Sequence, residues 1–251
     1  MYNNESMTEY IDEDFWREAL SQPTWYLLLK DDFYRLEQLT KEEKDYNKRK
    51  LIKDKAYSLV EEAVLNGSIK MGESGDNLDA ERRPIDTVVI HHTNNQPGMT
   101  LERLNAMQLL RIYGNYFANP TSPKEKHLQG QPVWSGHFYK SKQVFWGYHW
   151  FIREDGTSEH ILDDSYIGWH AGNWDVNTRS VAICIDDDLS DKEPSDTVLE
   201  SIADTIRKHY PTVNKVKILG HSDVNESTEC PGHLWSEVWQ QKLLDKLSVF
   251  S

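Results

Sequence analysis

Val88-Val89-Ile90-His91-His92-Thr93 is the stretch on which the fold of this 251-residue chain turns. An uncharged, β-branched run reads as a strand in the middle of a sheet, and this one ends in two adjacent histidines. Side chains alternate across a strand, so His91 and His92 face opposite ways and at most one of them can serve a given metal. A second run of the same kind, Ile218-Leu219-Gly220, delivers His221 at its carboxyl end, followed by Ser222 and Asp223. Nine residues beyond His221 comes Cys230, in Glu229-Cys230-Pro231-Gly232, after a loop that holds Asn225, Ser227 and Thr228. Zinc accepts imidazole and thiolate together, and a catalytic zinc takes three protein ligands and keeps a fourth position for water. Two histidines and a cysteine meet that count, with His91 arriving from a neighbouring strand. Singly, each has a plainer reading as a satisfied strand-end polar group or small core filler.

Outward from the first strand, at Asp86 to His92, the pattern alternates. A helix is expected from about Thr100 to Phe117, strands near Trp146 to Arg153 and Ser158 to Leu162, and a strand at Ser180 to Asp186. A helix at Ser195 to Tyr210, a strand at Lys215 to Gly220 and a last helix from about Leu234 to Val249 complete the series. That succession predicts an α/β fold, a mixed central sheet flanked by helices. Asp155-Gly156 marks a hairpin turn, and the prolines and glycines between Ala118 and Phe138 mark a long loop. Ahead of the sheet, apolar residues recur at helical spacing: Phe15 and Leu20; Trp25, Leu28, Leu29, Phe33 and Leu36; Leu51, Tyr57, Leu59, Val60 and Val64. Pro23 separates the first two segments, Thr40 and Glu43 suggest a capping box for the third, and Gly67 stops it. The expected division is a helical amino-terminal extension over 1–67, a polar Gly-rich linker over 68–84 and an enzyme domain over 85–251.

Net charge of −13 argues against a nucleic-acid partner, since the basic residues from Lys41 to Lys55 are interleaved with acidic ones. Nowhere is there an apolar run near the roughly 18 residues a membrane span requires. The amino-terminal residues do not read as a secretory signal. Two cysteines are too few for a disulfide framework, and Cys184, between Ile183 and Ile185, reads as inert filler.

Taken in order, Val-Ile-His-His-Thr, Gly147-Tyr148-His149-Trp150-Phe151-Ile152 with Asp155-Gly156, Trp169-His170-Ala171-Gly172-Asn173, Asn177-Thr178-Arg179-Ser180-Val181-Ala182-Ile183, Gly-His-Ser-Asp and Thr228-Glu229-Cys230-Pro231-Gly232 resemble the type-2 N-acetylmuramoyl-L-alanine amidases. That family takes in phage amidase-type lysozymes, anhydro-muropeptide amidases and peptidoglycan recognition proteins. The resemblance spans about residues 84 to 245. It implies a Zn2+ cofactor held by His91, His221 and Cys230, a peptidoglycan or muropeptide substrate, and cleavage between N-acetylmuramic acid and L-alanine. It implies too that Tyr148 stands near the reacting water and that Thr228 falls where members carry Lys or Thr. Thr and Cys at 228 and 230 follow the recognition-protein branch; the anhydro-muropeptide branch has Lys and Asp. Asp186 ends a strand where the latter branch carries a catalytic glutamate, but it is a methylene shorter and followed by Asp187 and Asp188, so a proton-handling role and an acidic turn are both open. His92, Asn94, Trp169, His170 and Asn173 are the candidate substrate contacts; Trp169 and His170 have a core alternative. Rival functions are a non-catalytic peptidoglycan-binding module and a zinc amidase or peptidase acting on another amide.

Overall fold

The computed structural model describes residues 11–114 and 131–248. Its strands are β1 (Thr87–His92), β2 (Phe138–Tyr139), β3 (Lys142–Gln143), β4 (Trp150–Ile152), β5 (Ser158–His160), β6 (Ser180–Ile185) and β7 (Ile218–Gly220). The helices are α1 (Glu13–Leu20), α2 (Trp25–Leu28), α3 (Lys30–Glu42), α4 (Tyr46–Leu65), α5 (Leu101–Ile112), α6 (Trp174–Arg179), α7 (Asp196–His209) and α8 (Gln240–Lys246). A five-stranded sheet runs in the order β5-β4-β6-β1-β7. β1 is parallel to β6 and to β7, β4 is parallel to β6, and β5 turns back antiparallel on β4. The sheet is mixed, as the alternating pattern predicts, and every residue of β1 and β6 is buried.

One sheet face carries Val88, Ile90, Val181, Ile183, Ile185 and Ile218, packed with Leu199, Ile202 and Ile206 of α7 and Leu243 of α8. α7 is well specified locally: the Ser195 hydroxyl accepts from Val198 N–H, Asp196 opens the first turn, and Arg207, Lys208 and His209 close the last, matching the helix dipole at both ends. The opposite face carries Val89, packed with Ala171 and Val176. His91 lies on this side, opposite Cys184 in the register. Between β4 and β5 the Asp155-Gly156 turn forms as expected, with Gly156 at φ +84 and Arg153 N–H bonded to Thr157 O at 2.8 Å.

The described residues fall into two compact units. One lies within Met1–Asp76, Thr100–Gly136 and Gln143–Phe145, the other within Asn77–Met99, His137–Lys142 and Trp146–Ser251. The first has its own core, in which Trp16, Leu20, Trp25, Tyr26, Leu29, Phe33 and Val60 pack with Ala106 and Leu109 of α5 and with Tyr113, Val133 and Phe145. Trp16 and Trp25 both meet Phe33 edge-on, at 5.7 and 6.0 Å between centroids, an arrangement the ring quadrupoles favour. Composition divides the chain near residue 67; the packing instead places α5 with the amino-terminal helices.

Several local expectations change. Thr40 is no cap: it is buried in the last turn of α3 with its hydroxyl donating to Leu36 O at 2.9 Å, and Asp45 accepts from Lys48 N–H at the start of α4. Side-chain bonding to the i−4 carbonyl is the alternative open to any threonine near a helix end. The strand expected over 215–220 is a 3-10 turn (Lys215–Lys217) followed by β7, and the last helix opens with a π turn at Trp235–Trp239. Within the expected linker, Arg82 donates to the carbonyls of Asp164, Asn177 and Ser180, and Asp79 accepts from Ile167 N–H, so residues 77–83 are stitched into the second unit. The end of the helix expected to Phe117, most of the loop expected over 118–138, the final residue of the last expected helix and the first ten residues lie outside the described residues. No described helix is long and apolar enough to cross a membrane.

Candidate metal centre

Parallel pairing of β1 with β7, in a register that sets Ile90 beside Gly220, brings their carboxyl ends together. Each strand delivers a histidine there, the usual position for a site in an open α/β sheet. The rings of His91 and His221 lie 4.6 Å apart between centroids. Cys230 reaches them because the segment after β7 folds back on itself: Ser222 N–H bonds to Cys230 O at 2.7 Å and Asn225 N–H to His221 O at 3.0 Å. The Asp223 carboxylate braces this turn, accepting from Gly220 N–H and from Trp235 Nε1, each at 2.7 Å. Gly220 is required in that position, since a Cβ would sit 2.6 Å from the Trp235 indole.

One ligand atom from each of His91, His221 and Cys230 lies within 4.8 Å of the other two. Among the described residues this is the one set of three histidine, cysteine or acidic side chains so gathered. Two imidazoles and a thiol are a donor set zinc accepts, and they leave a coordination position to spare. His91 is 1% exposed; its Nδ1 lies 3.7 Å from Cys230 Sγ, and its Nε2 lies 3.0 Å from His170 Nδ1.

A family model for N-acetylmuramoyl-L-alanine amidase matches residues 81–233, a span that holds all three of these side chains. The chain belongs to that family. Among solved structures, the chain is similar to the N-acetylmuramoyl-L-alanine amidase LysC of Clostridium intestinale, with 21% identity over 72% of this chain and 98% of that one and a TM-score of 0.46. An endolysin from a Thermus scotoductus bacteriophage is 19% identical over 66% of this chain and 86% of its own, with a TM-score of 0.42. Drosophila peptidoglycan recognition protein SD is 18% identical over 67% and 86%, with a TM-score of 0.41. No curated protein matches the chain.

Around the three side chains, this member of the N-acetylmuramoyl-L-alanine amidase family departs in several places from what its sequence suggests. His170 is no groove residue: it is buried, its Nε2 lies 3.1 Å from Ser180 Oγ, and its backbone N–H and that of Ala171 donate to Asn177 Oδ1. Burial first, and then the neighbouring His149, His221 and Arg82 side chains, which disfavour a second proton on the ring, hold its pKa well below the usual imidazole range. His92 points to the other sheet face, as alternation requires, and its Nδ1 accepts from Leu189 N–H at 2.9 Å. Burial lowers its pKa to about 4, so the expected substrate contact is a buried neutral ring. Its backbone N–H faces Cys230 Sγ at 3.5 Å.

Asp186 is 1% exposed and fully engaged. It accepts from Arg153 at 2.9 Å, from Gly98 N–H at 3.0 Å and from Met99 N–H at 3.3 Å, while Arg153 also donates to Met99 O. The carboxylate therefore fastens the loop that follows β1, and of the two roles left open for it the geometry favours the structural one. Tyr148 is buried with its ring 5.2 Å from that of His91. Thr228 is half-buried and its hydroxyl accepts from Cys230 N–H at 3.2 Å. Asn173 is exposed and caps α6, accepting from Val176 N–H. Asn94 is exposed at φ +55, with its amide oxygen accepting from Ser190 Oγ.

Trp169 is half-buried and stacks on His137 at 4.6 Å, and His137 in turn lies against Tyr166 and pairs with Asp79 at 3.1 Å. Gly147 makes this fit possible, because a Cβ there would lie 2.9 Å from the Trp169 backbone. Ser180 and Asn177 hold His170, Asp223 braces the turn after β7, Arg153 holds Asp186 and His137 stacks on Trp169, yet nothing in the sequence pattern assigns any of them a role. Asn177, Ser180 and Asp223 do fall within the motifs that carry the family resemblance.

Proposed function

We propose that this chain hydrolyses the amide bond between N-acetylmuramic acid and L-alanine in peptidoglycan or its fragments, as a zinc enzyme with His91, His221 and Cys230 as ligands. The observation that carries the reading is the convergence of those ligand atoms within 4.8 Å. Zinc in such a site supplies a Lewis acid and allows water to lose a proton near neutral pH, where free water, with a pKa of about 15.7, would not. The residues around it have separable tasks. The Tyr148 hydroxyl donates to the oxyanion that develops on the scissile carbonyl. The Thr228 hydroxyl, whose oxygen already accepts from Cys230 N–H, has its own proton to add to the same oxyanion. Each such donor is worth on the order of 10²-fold in rate. As the water oxygen joins the lactyl carbonyl carbon, the carbon–nitrogen bond breaks and the alanine nitrogen takes up a proton. Trp169 and Asn94 offer contacts for sugar and peptide; the Trp169 Nε1–H is buried without an acceptor among the described residues.

Metal analysis of the purified protein, with mass spectrometry of defined muropeptides after incubation, tests this reading. Bound zinc and the appearance of free sugar and alanine-headed peptide are expected. Retention of intact muropeptide on the zinc-loaded protein would mark a binding module, and cleavage at another amide a different hydrolase. Tyr148→Phe should leave the zinc content unchanged and lower kcat on the order of 10²-fold.

A further inference from the structure

We infer that His170 is a positioning residue that fixes which nitrogen of His91 is turned toward a metal, keeping Nε2 for itself through a relay that ends on Ser180. The inference rests on the metal centre proposed above. The imidazole of His91 could rotate about its last bond to offer either nitrogen to the cysteine side. In this fold Nδ1 lies 3.7 Å from Cys230 Sγ, while Nε2 lies 3.0 Å from His170 Nδ1. The two ring centroids lie 5.0 Å apart, close to what a nitrogen-to-nitrogen contact of 3.0 Å along the line between the rings requires.

His170 is itself held on both sides. Its Nε2 lies 3.1 Å from Ser180 Oγ, and its backbone N–H is taken by Asn177 Oδ1 at 3.3 Å. Ser180 belongs to β6, faces Thr87 of β1 in the register, and has its carbonyl bonded by Arg82 at 2.8 Å, so the relay is anchored in the sheet. His91, His170 and Ser180 are all buried, so their polar atoms must take partners from the protein. A nitrogen that binds a metal carries no proton. With an ion on Nδ1, the His91 proton is on Nε2 and is donated to His170 Nδ1; the His170 proton is then on Nε2 and is donated to Ser180 Oγ. Proton placement on both rings is thereby fixed, and rotation of His91 would break the bond to His170.

The test uses the full chain labelled with 15N. Before any metal is added, a scalar coupling across the hydrogen bond between His91 Nε2 and His170 Nδ1 is expected. After titration with zinc, the His91 Nδ1 resonance should move to a metal-bound position while Nε2 keeps its proton. Removing the acceptor in His170→Leu should raise the zinc Kd, read by competition with a chelator, about 10 to 100-fold. His170→Asn, whose Oδ1 can accept near the position of Nδ1, should recover most of that loss, and Ser180→Ala should show a smaller one. Absence of the coupling in the parent, or parental zinc affinity in either His170→Leu or Ser180→Ala, would overturn the relay. A parent that shows the coupling but takes up no zinc would sink the zinc reading and leave the histidine pair as described. Should His170→Leu fail to fold, His170→Asn and Ser180→Ala decide the matter.

Discussion

Cys184 and Cys230 place the same sulfur atom in opposite circumstances. Cys184 is wholly buried in β6, and burial, followed by the nearby Cys230 and Asp186, pushes its thiol well above the ordinary range. Cys230 is half-buried against two imidazoles. Cys230→Ser should therefore remove bound zinc and muropeptide cleavage, while Cys184→Ala should keep both and cost about 1 kcal/mol in stability; metal analysis and denaturant unfolding check the pair. Asp186→Asn separates its two possible roles. As a fastening for the loop after β1, its loss should cost about 3 kcal/mol of stability, the scale for breaking one partner of a buried ion pair, with kcat of the folded fraction kept. Full stability with lost kcat would restore the proton-handling role. The three converging side chains His91, His221 and Cys230 are legible because each ends a strand or sits in a short motif. Asp186 and His170 are not, because their partners lie far away in the chain: Arg153 and Gly98 for the one, His91 for the other. A candidate residue can be found from its neighbours in sequence, but whether its polar atoms are already spent depends on neighbours in space.

At the scale of elements, the segment from β7 to the π turn holds two of the three proposed ligands, and its shape depends on close backbone approaches. Gly232 has φ +121, and a Cβ there would meet Leu189 O at 1.9 Å. Gly232→Ala should displace the Cys230 turn, weakening zinc binding by about tenfold and stability by about 1 to 3 kcal/mol, as read by chelator competition and urea unfolding. β4 makes a different prediction through His149, which precedes it. This ring is buried, its Nδ1 accepts from Ala182 N–H and its Nε2 donates to Tyr166 O, so it is held neutral. Burial, and then the Arg82 charge, lowers its pKa from 6.5 to about 3. Between those values the unfolded chain binds the proton and the native one does not, so this contribution to stability is complete above about pH 6.5 and is lost as pH falls toward 3. Urea midpoints measured from pH 7 downward should fall, and His149→Asn should flatten the slope, leaving the shares from His92 and His170. Strand and helix order is readable from periodicity, as is the glycine turn between β4 and β5. Strand lengths and the Thr40 cap are not, since pairing partners and a competing i−4 carbonyl decide them.

At the scale of the whole molecule, the amino-terminal helices belong to a core that is finished by later parts of the chain. Ala106, Leu109, Tyr113, Val133 and Phe145 are covered by Trp16, Trp25, Tyr26, Leu29 and Phe33 within one compact unit. Cutting the chain to residues 77–251 should uncover that apolar surface. A truncated protein that aggregates or binds a hydrophobic dye is expected, whereas a well-behaved, dye-silent monomer of parental activity would show the helices to be dispensable. The shift in composition near Gly67 suggests a boundary for the extension, but composition carries no record of a helix such as α5 that packs back across it. The same interleaving bears on how the protein is made. Synthesis releases the helices first, yet the last pieces of their core, Val133 and Phe145, emerge only after β1 and α5 have left the ribosome. The nascent amino-terminal segment must wait, partly uncovered, while β1 and the stretch from there to Phe145 are translated, and a chaperone that holds exposed aromatics would find its target there.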